Sequence, residues 1–156
     1  MGVPQEVKST YKALVGSGLI RYDCLPIAEV PIADDAAWDQ LWAAAAGPAL
    51  DFWVVGFAYN FATTTVAAEH TQLIDFGWGG ADGAAVAAAN VIVANFPVTM
   101  YGVAAALGPA GPLCHYLPYP VRVPALSRMA ARIAASPVGG VAFTSFRIIY
   151  ATAVGT

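Results

Sequence analysis

The stretch VPALSRMAAR, from Val123 to Arg132, decides the fold, because it is compatible with two secondary structures. As a helix, it would place Leu126 and Met129 in one apolar stripe. As a strand after a turn, it would place Arg128 and Arg132 on one face and Met129 on the other. Helix propensity favours the first structure, and the proline-rich sequence before the stretch favours the second. Local physics alone therefore leaves both open.

The chain carries few charges for its length. Its 156 residues are enough for one domain with a single core. Only 11% of them are charged and 58% are hydrophobic, whereas an ordinary soluble domain has about 25% charged residues. So few charged side chains cannot hydrate the whole surface of a monomer, and we expect part of the exterior to be covered.

We expect another protein surface to bury the apolar part of the exterior. The uncharged run at 83–121 is broken by prolines, and its proline-free part, 83–96, is shorter than the about 20 residues of a membrane-spanning helix. The net charge of −3 argues against nucleic-acid binding, which needs a basic face to neutralise phosphates. We therefore expect copies of the chain itself, in a homo-oligomer, or a neighbouring subunit, with neither membrane nor nucleic acid as a partner.

Strand patterns separated by proline and glycine turns dominate the chain. They indicate an all-β fold, a β-sandwich or jelly roll, in a single domain over residues 13–156. The segments with this character are 19–33, 51–61, 62–68, 71–78, 90–100, 116–124 and 140–154. One short helix is predicted at 34–46, where Trp38, Leu41 and Trp42 recur at helical spacing after a capping aspartate.

No motif indicates catalysis or a cofactor. The GWGGADG segment at 77–83 lacks the third glycine of a dinucleotide-binding loop and the Lys-Ser/Thr pair of a P-loop, so we predict a turn. Glu69, His70 and Asp75 would supply an acid–base pair, but no recognisable nucleophile is placed near them. The prediction is a non-enzymatic protein without cofactors.

A metal site is not predicted either. Cys114 and His115 are adjacent, so in an extended chain their side chains point to opposite faces and cannot both bind one metal comfortably. A site built from Cys24, His70 and His115 would have to be assembled from distant parts of the chain. The two cysteines either form a disulfide or are small buried side chains, and the second interpretation is favoured.

Several aromatic residues have two interpretations. They would either form a sugar-stacking platform, as in jelly-roll lectins, or pack in the core and between subunits, which is the commoner use. These residues are Trp38, Trp42, Phe52, Trp53, Trp78, Tyr116 and Tyr119.

The sequence resembles a group of small virion proteins of tailed bacteriophages. The likeness is carried by YLPYPVRVPALSRMAARIAAS at 116–136, followed by VAFTSFRIIYA at 141–151. Members carry a Pro-Ala-Gly-Ser/Thr-Arg-Ile/Val-Ala-Ala-Arg stretch before a final strand, and this chain matches it except that Leu126 replaces the glycine. Earlier parts of the group's sequences are similar to two further segments of this chain, AWDQLWAAAA before DFWVVGF and LIDFGWGGADG before NVIVANFP. The likeness therefore spans residues 37–151.

The resemblance implies a β-sandwich in which Arg128 begins a strand after a tight turn, and so favours the strand interpretation of the opening stretch. The glycine of the group would serve a positive φ, which Leu126 adopts only at a cost of about 1 kcal/mol or more. Arg128 and Arg132 would share a face and pair with carboxylates such as Asp75 or with an adjacent subunit.

The resemblance also implies a structural role in the virion. The first hypothesis is a capsid decoration, or cement, protein that forms a homo-oligomer, for example a trimer, and contacts the major capsid protein or another virion protein. The alternative is a tail-associated carbohydrate- or receptor-binding module. Residues 1–12 are predicted to be an N-terminal arm that tethers the domain to the shell; the alternative is an end strand or short helix packed on its own domain. The predicted interface residues are Lys8, Lys12, Arg122, Arg128 and Arg132.

Overall fold

Alternating and β-branched sequence forms strand throughout the part of the chain that the structure describes. The structure is a computed structural model, and it describes residues 20–61, 69–81, 83–101, 113–138 and 141–153. The strands are β1 (Ile20–Leu25), β2 (Asp39–Trp42), β3 (Phe52–Phe61), β4 (Glu69–Trp78), β5 (Val91–Tyr101), β6 (Leu113–Val123), β7 (Met129–Val138) and β8 (Phe143–Ala153). Two single-turn 3-10 helices, Ala44–Ala46 and Ala88–Asn90, lie between strands.

The strands form two four-stranded sheets. Sheet A has the order β1-β8-β3-β6 and sheet B the order β2-β7-β4-β5. The antiparallel partners are nested along the chain, because β1 pairs with β8, β2 with β7, β3 with β6 and β4 with β5. This nesting is the double Greek key of a jelly roll. The predicted all-β sandwich of jelly-roll type is confirmed.

The core lies between the inner faces of the two sheets and is rich in aromatic rings. Phe57 of β3 is buried near its centre, with ring centroids 5.2 Å from Phe76, 5.3 Å from Phe96 and 5.6 Å from Phe146. The rings come from both sheets, so burial of these side chains holds one sheet against the other. Such packing is worth about 1.5–3 kcal/mol for each fully buried large side chain.

The helix predicted at 34–46 is wrong. Residues 39–42 form β2, and only Ala44–Ala46 makes a helical turn, of the 3-10 type. The pairing of β2 with β7 shifts register between Gln40 and Trp42, and both Leu41 and Trp42 are buried. A bulge of this kind buries two successive side chains, and this produces the same apolar spacing as a helix.

The opening stretch is a turn followed by a strand. β7 begins at Met129, and Met129 and Ile133 are buried in the core while Arg132 faces away from it. Leu126 has a φ of 53°, in the left-handed region where the resembling group has glycine. The strand interpretation is confirmed, and the turn requires the conformation that the glycine would serve.

Other predictions have mixed outcomes. The turn after Trp78 is confirmed, with positive φ at Gly79, Gly80 and Gly83. Within the described residues, no helix has both the length and the apolar character needed to cross a membrane. The arm predicted at 1–12 and the strand predicted at 62–68 lie outside the described residues.

Candidate interaction surfaces

The turn before β7 is anchored by three hydrogen bonds from separate parts of the chain. The Leu126 backbone N–H donates to the carbonyl of Pro48 at 2.9 Å, and the Ala125 N–H donates to the Asp51 carboxylate at 2.9 Å. The Trp42 indole N–H donates to the carbonyl of Ser127 at 3.0 Å. These bonds offset the conformational cost of leucine at a positive φ. The turn therefore fixes where β7 begins and which face its arginines occupy.

Arg128 is used inside the domain. Its side chain is 2% exposed, Nε donates to the Gln40 side-chain oxygen at 3.2 Å, and Nη1 donates to the Gly79 carbonyl at 3.0 Å. The Gly79 N–H in turn donates to the Arg128 carbonyl at 2.9 Å. This side chain joins β2, the end of β4 and the start of β7, while its buried Nη2 has no hydrogen-bond partner among the described residues.

Arg132 pairs with Asp75 inside the domain, which is one of the two alternatives that the sequence left open. Its Nε and Nη2 donate to Asp75 Oδ2 at 2.8 Å and 2.7 Å, and the Asn95 backbone N–H donates to Oδ1 at 2.7 Å. The Arg132 guanidinium also lies 4.9 Å from the ring centroid of Trp38, at cation–π distance. The pair therefore ties β7 to β4 on the outer side of sheet B.

Arg122 pairs with Asp51 near the surface. The Ala125 N–H, followed by the Arg122 guanidinium, lowers the pKa of the Asp51 carboxyl below its usual value. All three predicted arginines thus have partners within the chain, and the structure does not bring them together as one patch. Lys8 and Lys12 lie outside the described residues, and the role of all five at an interface stays a prediction.

The outer face of sheet A is the largely apolar surface of the domain. Trp53, Val55 and Ala58 point outward from the central strand β3, yet each is at most 7% exposed. Side chains from the edge strands cover them, above all Tyr22 of β1 and Tyr116 of β6, which are 55% and 72% exposed. This face therefore presents exposed aromatic rings to water, together with two arginines, Arg122 opposite Trp53 and Arg147 opposite Ala58.

A bulge in β6 shapes this face. Val54 pairs with Val121 and Gly56 with Tyr116, so a single residue of β3 lies opposite residues 117–120, here called the proline bulge. Pro118 and Pro120 have no N–H with which to continue the ladder. Gly56 is needed beside the bulge, since a Cβ there would lie 2.4 Å from the His115 carbonyl oxygen.

The proline bulge bounds a groove of about 500 Å³, here called the aromatic groove. Val55 contributes to its lining beneath the side chains of the two edge strands. The lining residues are Tyr22, Val55, Tyr116, Leu117, Pro118 and Pro120. None of them carries a charge, so an occupant would be held chiefly by apolar and ring contacts.

A second groove, of about 440 Å³ and here called the thiol groove, shares Tyr22 with the first. Its lining residues are Tyr22, Asp23, Cys24, Ala58, Cys114, Arg147 and Ile149. Both cysteines are free, and Cys114 is exposed, so the expectation that both are buried is wrong for Cys114. Burial raises the pKa of the Cys24 thiol, and the nearby Cys114 adds to the increase, against the opposing effect of Arg147.

The structure divides the predicted aromatic set. Trp42 and Phe52 are buried in the core and Trp78 packs against it, whereas Trp53 is buried on the outer face of sheet A. Tyr116 is exposed at a groove, as a binding platform requires. Tyr22, Cys24, Cys114 and Arg147 also line these grooves, but sequence reasoning did not select them as site residues. The only signal in the sequence was the alternation of Tyr22 and Cys24 on one strand face.

The described residues do not form the catalytic or metal sites that were considered from the sequence. His70 and Asp75 lie five residues, roughly 16 Å, apart on β4, and Asp75 accepts hydrogen bonds from Arg132 and the Asn95 N–H. His70 is itself buried, whereas Glu69 is exposed. Among the described residues, no group of three or more His, Cys, Asp or Glu side chains is placed to hold a metal ion.

Comparison with known proteins yields one weak likeness. No protein-family model and no curated protein matches the chain. One solved structure, titled "Structure of infectious bursal disease virus Gx strain", matches with 12% identity and a TM-score of 0.34. The match covers 88% of this chain and 33% of the other, so this chain spans about a third of the matched chain's length. A TM-score this low carries no argument about fold or function.

Proposed function

We propose that this protein is a structural component of a tailed-phage virion, namely a capsid decoration, or cement, protein that stabilises the shell through oligomeric contacts. The observation that carries the proposal is the outer face of sheet A, where aromatic rings and prolines stand exposed. Contiguous apolar surface of this kind marks a protein contact. The jelly-roll topology, a fold that viral capsid domains use, and the sequence resemblance support the same function.

The proposed partners are proteins alone. The domain forms a homo-oligomer and contacts the major capsid protein or another virion protein, without nucleic acid, membrane or cofactor. Lys8 and Lys12 belong to the arm, residues 1–12, that tethers the domain to the shell. The protein performs no catalysis, since its work is to add contacts between neighbouring subunits.

Reconstitution on shells tests this function. Purified protein is mixed with phage shells that lack it, the shells are pelleted, and bound protein is quantified; shell melting is then followed by calorimetry. We expect saturable binding and a higher shell melting temperature, since binding stabilises the assembled state. A chain without residues 1–12 should fold, shown by an unchanged circular dichroism spectrum, yet bind shells at least tenfold more weakly. Full binding by the truncated chain would refute the tether, and failure of the intact chain to bind would refute the decoration role.

The second candidate is a carbohydrate- or receptor-binding module of the tail. It is favoured by Tyr22 and Tyr116, whose exposed rings border grooves on one face of a fold that lectins also use. A glycan array tests it directly. Specific glycan binding that disappears in Tyr116→Ala would support this candidate over the first.

A further inference from the structure

We infer that the outer face of sheet A packs against the same face of a second copy of this chain, with Tyr116 of each copy seated in the thiol groove of the other. The inference deepens the proposed function, on which it rests, because it names the surface and the residues of the contact between copies.

The face carries both a projection and a hollow, as a two-fold contact requires. Tyr116 projects with 72% of its surface exposed. Cys114, two residues before it on β6, lines the thiol groove, so the ring and the hollow lie about one strand repeat apart. A two-fold axis between them places each ring opposite the other copy's groove. In such an interface, one patch is complementary to itself.

The lining of the thiol groove suits a tyrosine side chain. Ala58 and Ile149 supply apolar contacts for a ring, and the Arg147 guanidinium is suited to stack on its face. The Asp23 carboxylate, whose Oδ1 accepts a hydrogen bond from the Cys24 N–H at 2.8 Å, has the lone pairs to accept another from the phenol hydroxyl. The groove therefore presents an apolar body with one polar end, which is also the chemistry of tyrosine.

The exposed rings supply part of the area that a dimer needs. With about 200 Å² of surface per ring, the exposed parts of Tyr22 and Tyr116 come to roughly 250 Å². A stable interface buries about 800 Å² on each partner. The two rings would therefore be about a third of the contact, and the rest of it would come from other side chains of the same face.

A second copy fits this face better than a sugar does. Recognition of a sugar requires several hydrogen-bonding groups, but Asp23 and Arg147 are the only charged residues among the described residues that line either groove. This face can contact only one partner face at a time, so the contact forms a two-fold dimer. It does not form the trimer that the sequence analysis gave as an example of a homo-oligomer.

Sedimentation equilibrium and thiol alkylation test the contact together. The wild-type chain should be dimeric at micromolar concentration, and Tyr116→Ala should weaken dimerisation on the order of 30-fold or more, as at an interface hot spot. Cys114→Arg, which places a charge in the groove, should also give monomers. Leu126→Ala is the matched control, because Leu126 is 52% exposed but lines neither groove, and it should stay dimeric. Iodoacetamide, read by peptide mapping, should modify Cys114 more slowly in the dimer than in the Tyr116→Ala monomer.

Each other outcome overturns the inference in a distinguishable way. A monomeric wild-type chain would show that copies do not meet through this face. The same would follow if Tyr116→Ala and Cys114→Arg both stay oligomeric and Cys114 of the wild-type chain reacts at its full rate. Binding to shells by such a chain would leave the proposed function standing. Protection of Cys114 only on shells would assign the face to a shell protein, and protection only by a glycan would assign it to the second candidate function. Loss of shell binding with the dimer intact would refute the decoration role alone.

Discussion

Replacement of Arg132 by methionine should destabilise the domain without changing its assembly. The Asp75 side chain is only 7% exposed, and loss of Arg132 leaves its carboxylate with a single donor, the Asn95 N–H. Removing one partner of a fully buried pair costs about 3–5 kcal/mol, and an exposed pair is worth about 0–1 kcal/mol. The Arg132 side chain is 33% exposed, so the expected loss lies between these limits, at about 2–3 kcal/mol. In a domain of this size, that lowers the melting temperature by roughly 5–10 °C.

A double-mutant cycle isolates the pair from other effects of the substitution. Asp75→Asn keeps an oxygen for the Asn95 N–H and allows Arg132 to extend into water, so we expect a smaller loss of about 1–2 kcal/mol. The double variant Arg132→Met/Asp75→Asn has no buried charge. Its loss of unfolding free energy should be at least 1 kcal/mol smaller than the sum of the losses in the two single variants.

Urea unfolding followed by far-ultraviolet circular dichroism measures these values, because Trp38 lies over Arg132 and its fluorescence will itself change with the substitution. Sedimentation of the same variants separates a role inside the domain from a role at an interface. Single variants within 0.5 kcal/mol of the wild type, with additive effects, would refute the reasoning about the pair. A change of oligomeric state in Arg132→Met alone would show that Arg132 serves a neighbouring subunit.

Three further predictions concern other sites. The lowered pKa of the Asp51 carboxyl stabilises the fold above pH 3.8, and this contribution disappears as pH falls through the lowered value. The difference in unfolding free energy between wild type and Asp51→Asn, measured by urea unfolding, should therefore shrink between pH 5 and pH 2. A difference that is independent of pH would contradict this prediction. In the monomeric Tyr116→Ala variant, Cys114 should react with iodoacetamide at pH 8 faster than Cys24 does, because burial raises the pKa of the Cys24 thiol. Peptide mapping measures both rates, and equal rates would contradict this prediction. Gly56→Ala should cost about 1–3 kcal/mol, because the new methyl group overlaps backbone of the adjacent strand; an unchanged urea midpoint would rule out that close approach.

The features that the sequence predicted are those with a local cause. Alternation identified β4 and β5, aromatic and β-branched residues identified β3, and a glycine in the resembling group at the position of Leu126 indicated its positive φ. The need of Arg132 for a carboxylate partner could also be predicted, but that Asp75 is this partner depends on the pairing of β4 with β7.

Features that depend on strand order were not predictable. Tyr22 and Tyr116 lie far apart in the chain and line one groove because β1 and β6 belong to the same sheet. The helix predicted at 34–46 failed because a register shift in β2 buries two successive residues. The deficit of charge indicated that some surface would be covered, but not which one.

The nested order of the strands has a consequence for biosynthesis. β8 is the strand that lies between β1 and β3, so sheet A remains divided on the ribosome until residues 143–153 have been translated. Contacts between such distant parts of a chain form slowly, and interrupted products cannot complete the sandwich.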